Sequence, residues 1–240
     1  MKTFTVRLVL FAALAIGCAQ ASPIVGSVLN IDGAANVGNV FTNFTCSQPG
    51  DTLCNSAAGG DFLVVSSTGV FAQYNGTVGQ IDKLPDSPGA VSLSNFITFN
   101  LNSNVALGLT QILAGTDAAS STCAGLTNCT PTFASLVSAS NPLGLSAINL
   151  NQSGAGTTLT VDVQGVVFSS GSQAPLNGIF TSQIANDNPQ QALAALLGAH
   201  LDGLPLTFSA QMTAVAPEPV TFGLAGAGLL TLGLIRRRRK

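Results

Sequence analysis

The sequence predicts an all-β fold, an antiparallel β-sandwich of the jelly-roll-like or Ig-like type, with one short helix near residues 189–200. Three observations support this prediction. Apolar and polar residues alternate with a period of two in several segments, which is typical of strands that bury one face. Stretches rich in Gly, Asn and Ser separate those segments, as turns would. Only 8% of the residues are charged, so neutral polar side chains are expected on the outer faces.

The strongest strand signal lies at 204–213, where every second residue is apolar and the residues between them are Pro, Thr, Ser and Gln. A second alternation covers 158–164, and a third covers 91–99 with an interruption at Asn95 and Phe96. Shorter apolar runs predict further strands at 24–31, 37–44, 62–65, 69–74 and 178–184. Several short strands with such turns between them indicate a sandwich of two antiparallel sheets.

One segment predicts a helix instead of a strand. Asn188 is a suitable N-cap, Pro189 suits the first helical position, and Gln191 stands three residues after the cap. Ala and Leu dominate the following residues, so the helix is expected over 189–200 and to end near Gly203. We expect it to plug or cross one end of the sandwich.

The first 21 residues have the three parts of a secretory signal peptide. A basic start is followed by an apolar run at 8–16, and Ala19 and Ala21 form the small–x–small pattern that signal peptidase recognises. We therefore predict a signal helix within 1–21, cleavage between Ala21 and Ser22, and export through the inner membrane.

The domain that remains after cleavage is expected to span 22–214, without an internal linker rich in Pro or charge. One alternative for its start stays open. Ala15-Ile-Gly-Cys18 faintly resembles a lipobox, so Cys18 could be lipidated instead of removed.

The C-terminal end has the composition of a membrane anchor. Residues 220–235 are apolar and would span roughly 24 Å as a helix, which is short for a bilayer. A basic cluster that should stay in the cytoplasm follows directly: Arg236, Arg237, Arg238, Arg239 and Lys240. We predict a transmembrane helix over 220–235 in the inner membrane. A plain stop-transfer anchor is the alternative.

Directly before this apolar run, Pro217, Glu218 and Pro219 place a lone Glu between two prolines. Together with the apolar segment and the basic end, they resemble the PEP-CTERM sorting signal of Gram-negative bacteria. The resemblance covers 217–240, and Ala216 replaces the Val that usually precedes the motif. It implies that the tail at 215–240 is held in the inner membrane and cut by an exosortase. The protein would then reach the cell surface or the extracellular matrix.

Two further resemblances concern the rest of the chain and the label of the tail. Residues 61–69, the strand ending at Phe99 and the Thr-rich stretch 157–167 resemble the ectodomains of PEP-CTERM proteins of unknown function. This implies a β-sandwich and no particular activity. The tail is also known under an ice-binding label, because certain ice-binding proteins end with it. Ice binding calls for a regular flat array of Thr, and the Thr cluster at 157–160 is too brief for one.

Four cysteines remain after signal cleavage, and in the oxidising space outside the cytoplasm they should pair. Four cysteines allow three connectivities, and the close spacings favour Cys46–Cys54 and Cys123–Cys129. The alternative is a metal site. No Cys-x-x-Cys spacing supports it, and the only histidine, His200, is distant in sequence.

Charge and residue type exclude several functions. Residues 22–216 contain nine Asp, one Lys and no Arg, so they cannot neutralise a row of phosphates, and nucleic acid is not expected as a partner. The same residues contain no Glu, and their Asp mostly occupy turn contexts such as Asp32-Gly33. No Gly-x-Ser-x-Gly motif accompanies His200. We therefore expect no catalytic residue, no metal site and no cofactor.

Trp is absent and Tyr occurs once, so stacking of sugars on aromatic rings is disfavoured, whereas hydrogen bonding of sugars by Asn and Thr stays open. Our leading hypothesis is an exported, non-enzymatic protein of the cell surface or extracellular matrix, processed by signal peptidase and an exosortase. An extracellular polysaccharide-binding module is the alternative. A secreted hydrolase is the third hypothesis.

Overall fold

The computed structural model describes residues 24–38, 41–45, 59–85, 87–100, 104–154, 156–199 and 203–216. The predicted signal peptide and sorting motif lie outside these ranges. Two 3₁₀-helices are present in them, Gly69–Tyr74 and Ala134–Leu136, and one α-helix, α1, at Pro189–Gly198. The strands are β1 Val28–Val37, β2 Phe41–Thr45, β3 Gly59–Val64, β4 Val78–Asp82, β5 Leu84–Pro85, β6 Gly89–Phe99, β7 Val105–Ile112, β8 Ala119–Ser120, β9 Asn128–Pro131, β10 Ile148–Ser153, β11 Gly156–Ser169, β12 Ser172–Ile184 and β13 Leu204–Ala214.

The central sheet closes on itself. Its neighbours follow the order β12, β13, β1, β3, β4, β6, β7 and β11, and β11 pairs in turn with β12. Every one of these pairings is antiparallel. The prediction of an antiparallel all-β fold with one short helix is therefore confirmed. The prediction of two stacked sheets is wrong, because a single sheet forms a barrel.

Glycines and irregular pairings allow the sheet to curl this tightly. Gly33 lies opposite Phe208 on β13, and Gly79 lies opposite Phe62 on β3, so each ring covers a position without a side chain. The pairing register also shifts between Gln164 and Gly165 on β11, and twice along β6. Such bulges and glycines bend strands and increase their twist, and a strongly curved sheet can close. Alternation alone reports that one face is buried and carries no information on curvature.

Two strands of the closed ring, β11 and β1, also pair with strands outside it. β11 pairs with β10 through its first half and with β7 through its second half, so β7 and β10 follow one another along the same edge. The chain between them, 113–147, contains the short strands β8 and β9. Similarly, β1 pairs with β3 near its middle and with β2 near its end, and β2 pairs with β5.

We call the two ends of the barrel the terminal pole and the distal pole. The terminal pole is where β1 begins, β13 ends and β11 turns into β12 at 170–171. The two ends of the described chain are joined there, because the Gly26 N–H donates to the Ala214 carbonyl at 2.8 Å. The distal pole is the opposite end, where β12 leads into α1. Both ends of the domain therefore leave from one pole.

Aromatic side chains fill the barrel in two clusters. Phe44, Phe96, Phe180 and Phe208 meet in the distal half, with the Phe44 and Phe208 ring centroids 4.8 Å apart. Tyr74 stacks on Phe99 at 4.0 Å near the terminal pole. Filled interiors are usual for barrels of this strand number.

The segment 69–74 corrects one prediction, because it is a 3₁₀-helix and not a strand. Phe71 and Tyr74 are three residues apart, so a 3₁₀-helix points both rings in the same direction. Both are buried against Phe99. Gly69 begins this helix at φ +62°, and it lies against Ser27, whose hydroxyl accepts the Val70 N–H at 3.0 Å.

The prediction of a capped helix is confirmed over Pro189–Gly198, whereas its predicted position across one end of a sandwich is not, because it packs on strands outside the closed ring. The Asn188 side chain accepts the Gln191 N–H at 3.0 Å, and the Gln191 side chain accepts the Asn188 N–H at 3.0 Å, which completes a capping box. Pro189, Ala192, Leu193 and Leu196 are buried on one face. The helix contacts β9 and β10, the strands outside the closed ring.

Candidate functional site

One predicted disulfide is present. Cys123 and Cys129 are joined, with their Cα atoms 5.6 Å apart, and both are buried. They close a short loop that leads into β9. The second predicted pair, Cys46–Cys54, lies outside the described residues and stays a prediction.

A buried polar network holds the neighbouring chain segment against β10. The Asn149 Oδ1 atom accepts the Thr116 N–H at 2.9 Å and the Thr130 hydroxyl at 2.7 Å. The Thr130 Oγ1 atom in turn accepts the Asp117 N–H at 2.9 Å. A Cβ at Gly115 would lie 2.5 to 2.6 Å from atoms of Thr130 and Asn149, so only glycine fits there. The network has a structural role, since its polar atoms bind one another.

The outer surface of four adjacent strands forms an extended polar arrangement, which we call the polar face. It consists of outward side chains of β11, β12, β13 and β1 in register. One row contains Thr160, Thr181, Ser209 and Asp32; the next contains Asp162, Ile179, Gln211 and Asn30; the third contains Gln164, Asn177, Thr213 and Val28. Neighbours within a row are about 4.8 Å apart, and rows are about 7 Å apart.

Side-chain hydrogen bonds tie the polar face together across the strands. The Thr181 and Ser209 hydroxyls lie 2.8 Å apart, and the Gln211 amide donates to the Asn30 Oδ1 atom at 3.1 Å. Most side chains in the rows are neutral donors and acceptors at the same time, a chemistry that matches the hydroxyl groups of sugars. The polar face could therefore bind an uncharged polymer by hydrogen bonding.

Two carboxylates give the polar face its negative charge. Asp32 is exposed, whereas burial raises the pKa of the Asp162 carboxyl above its usual range. Asp162 lies opposite Ile179 on β12, and its carbonyl accepts the Leu113 N–H at 2.9 Å. The only cation of the described chain, Lys83, follows β4 toward the distal pole. Polyanions are therefore poor ligands for this surface.

One small cavity lies inside the described barrel. A cavity of about 20 Å³ lies in the distal half, among Phe44, Phe180, Phe208 and their aliphatic neighbours. It has room for roughly one water molecule, whereas ligand pockets usually enclose about 300 Å³ or more. The Ser182 hydroxyl at its edge already donates to the Thr207 carbonyl. The interior is therefore a packed core.

The remaining sequence-predicted site residues lie outside the described ranges: the signal cleavage residues, Cys18, His200, the Pro-Glu-Pro motif and the basic cluster. Among the described residues, no three His, Cys, Asp or Glu side chains come together as metal ligands would. No helix in the same part of the chain combines the length and apolar character needed to span a bilayer.

From the sequence alone, the polar residues of β11 and β13 were recognised only as the outward-facing residues of two separate strands. Their proximity follows from the pairing register, which no residue pattern specified. A scan against protein-family models, a search of curated proteins and a search of solved structures each find no match to this chain.

Proposed function

We propose that this chain is an exported, non-enzymatic protein of the cell surface or extracellular matrix, delivered there by a C-terminal sorting signal. One observation supports this most: the Pro217-Glu218-Pro219 motif follows the last barrel strand almost directly. β13 ends at Ala214, and the Val215 N–H still donates to the Pro175 carbonyl at 2.9 Å. The apolar run at 220–235 and the five basic residues come next.

This arrangement suits recognition by a membrane-embedded exosortase. Two prolines disfavour a helix around Glu218 and favour an extended stretch, as a protease substrate needs to be. The last described strand, β13, ends at Ala214, and two residues separate it from the motif in sequence. The Cys123–Cys129 disulfide also fits an oxidising compartment.

The experiment compares Glu218→Gln with wild type in the native host, where intact mass is measured separately for inner-membrane and surface fractions. We expect wild type to start at Ser22 and to lack the residues after the motif when recovered at the surface. The Glu218→Gln protein should retain Lys240 and stay in the inner membrane. Asp32→Asn makes the same chemical change at an exposed barrel position and should be processed normally. Normal processing of Glu218→Gln would refute the proposal.

A second candidate function is binding of extracellular polysaccharide at the polar face, and the cross-strand rows of hydroxyl and amide groups favour it. The test is retention of the protein on polysaccharide isolated from the host. Thr181→Val combined with Ser209→Ala removes two adjoining hydroxyls and should abolish retention. Ser138→Ala removes an exposed hydroxyl far along the chain between β7 and β10 and should have no effect. Failure of wild type to be retained would eliminate this function.

A further inference from the structure

The outer surface of the barrel changes its chemistry toward the terminal pole. Along β11, the outward residues Thr160, Asp162 and Gln164 are polar, but the next two, Val166 and Phe168, are apolar. Phe168 is 40% exposed, although it is a large aromatic residue on a strand with a fully packed inner face. The change occurs within one strand, so the outer surface passes from polar to apolar along β11.

Neighbouring strands continue the apolar zone. Val166 lies opposite Pro175 on β12, and the Val215 N–H donates to the Pro175 carbonyl at 2.9 Å, whereas Phe168 lies opposite the exposed Gln173. On the other side of β1, Val65 follows the end of β3 and is 36% exposed, and its N–H donates to the carbonyl of Asn30, a residue of the polar face, at 3.0 Å. We call these five residues, Val65, Val166, Phe168, Pro175 and Val215, the apolar rim. It runs around the same pole from which both chain ends leave.

The charges of the described residues avoid this pole. Asp32 and Asp162 lie at the middle of the barrel, and the others lie toward the distal pole or in the chain beyond β7: Asp61, Asp82, Lys83, Asp117 and Asp187. The described residues around the apolar rim, 65–77, 100, 104, 166–176 and 213–216, contain no Asp, Glu, Lys or Arg. An acidic domain therefore presents one uncharged end.

The short chain after the barrel limits the distance between this end and the apolar run. Only four peptide units separate Ala216 from Val220, where the apolar run begins, and an extended chain of that length spans at most about 14 Å. We propose that the apolar rim rests in the headgroup region of the lipid bilayer while the tail is still inserted. This inference rests on the proposed function, since it requires 220–235 to be in the membrane. Exposed aromatic and aliphatic side chains on an uncharged surface favour that position.

The absence of Trp from this chain allows a direct test. Phe168→Trp places a single indole in the apolar rim, and Leu197→Trp places one on the 48% exposed Leu of α1 at the distal pole. The full unprocessed chain of each variant is reconstituted in phosphatidylcholine vesicles whose acyl chains are brominated near the headgroup. Bromine quenches an indole only at close contact. Val65→Trp gives an independent report from the end of β3 should the Phe168→Trp variant fold poorly.

We expect the emission of Phe168→Trp and of Val65→Trp to shift to shorter wavelength and to fall about two-fold in brominated relative to ordinary vesicles, as for aromatic side chains at the interface. The emission of Leu197→Trp should be unaffected.

Three results would overturn the inference, and they differ in whether they also contradict insertion of the tail into the membrane. Unquenched emission from both rim variants, in chains that float with the vesicles, would overturn the inference and leave the inserted tail standing. Emission of Phe168→Trp that is blue-shifted but unquenched would mean that a second copy covers the rim, which also overturns it. A chain that does not float would overturn the inserted tail and the inference together.

Discussion

Replacement of Gly79 by Ala tests whether the barrel interior has any spare room. Gly79 lies on β4 opposite Phe62, and a Cβ there would lie closest to the Phe62 Cζ atom and 2.7 Å from both the Phe62 Cε2 atom and the Thr98 carbonyl oxygen. Carbon atoms in contact prefer about 3.5–4.0 Å, so the ring or the strand must move by about 1 Å. Phe62 is 1% exposed and packs edge-to-face on Phe99 at 6.1 Å, so it has no free direction in which to move.

The expected magnitude follows from two opposing effects. Overpacking of a filled core costs about 1–3 kcal/mol. Ala also restricts the unfolded chain relative to Gly, which returns about 0.4–1 kcal/mol. We therefore expect the free energy of unfolding to fall by about 1–2 kcal/mol. The assay is urea unfolding of the full chain in a mild detergent, followed by far-ultraviolet circular dichroism, with the midpoint and slope fitted together.

Two further variants make this prediction refutable. Gly198→Ala lies in α1 with nothing within 4 Å of the added methyl group, so it should leave stability unchanged or raise it by up to about 1 kcal/mol. Phe62→Leu removes part of the obstructing ring, so the double variant should be more stable than the sum of the single effects by about 1 kcal/mol. If Gly79→Ala is as stable as wild type, the close packing of Phe62 over Gly79 is not what shapes this end of the barrel.

Three other changes have expected outcomes. Cys123→Ser should lower the free energy of unfolding by about 2 kcal/mol, because the bond closes a loop of sequence separation 6; a reductant should shift the urea midpoint of wild type by more than that of the variant, which keeps only the predicted Cys46–Cys54 pair. Asn149→Ala removes the acceptor of the Thr116 N–H, which should cost about 2 kcal/mol and speed hydrogen exchange of that amide; unchanged exchange would contradict the network. Burial raises the pKa of the Asp162 carboxyl, so the folded chain holds this proton more tightly than the unfolded chain. The protonated carboxyl therefore stabilises the folded state fully below the usual aspartate pKa of about 3.9, and this contribution is lost as the pH rises through the folded pKa. Asp162→Asn should abolish that fall in the urea midpoint, and identical pH profiles would refute the assignment.

Strands in which apolar residues alternate regularly with polar ones were predictable from sequence, and strands without such alternation were not. The alternation at 204–213 corresponds to β13, and the interruption at Asn95 and Phe96 coincides with an irregular register between Leu93 and Ile97. β7 was not singled out, since Ala106 and Gly108, which separate its larger apolar residues, are small and not polar, so the alternation is weak. The segment 69–74 was predicted as a strand because it contains apolar residues. Its buried rings, Phe71 and Tyr74, are three residues apart, a spacing that places them on one side of a 3₁₀-helix.

The candidate surfaces show the same division. That Thr160 and Ser209 point outward follows from the pattern of each strand alone. That they belong to one row follows from Thr181, which pairs with both and hydrogen bonds to Ser209. The apolar rim is equally hidden in sequence, because Val65, Phe168 and Val215 belong to different strands and connections.

By itself the amino-acid sequence determined the local features: which segments alternate, where α1 is capped, which close cysteines pair at 123 and 129, and where charge is absent. These depend on residues a few positions apart, whose geometry the backbone dictates. Only the tertiary structure decided that the sheet closes and that both ends of the described chain meet at one pole. Closure depends on the summed twist and bulges of strands distant in sequence, and on rings such as Phe208 finding the space that Gly33 leaves.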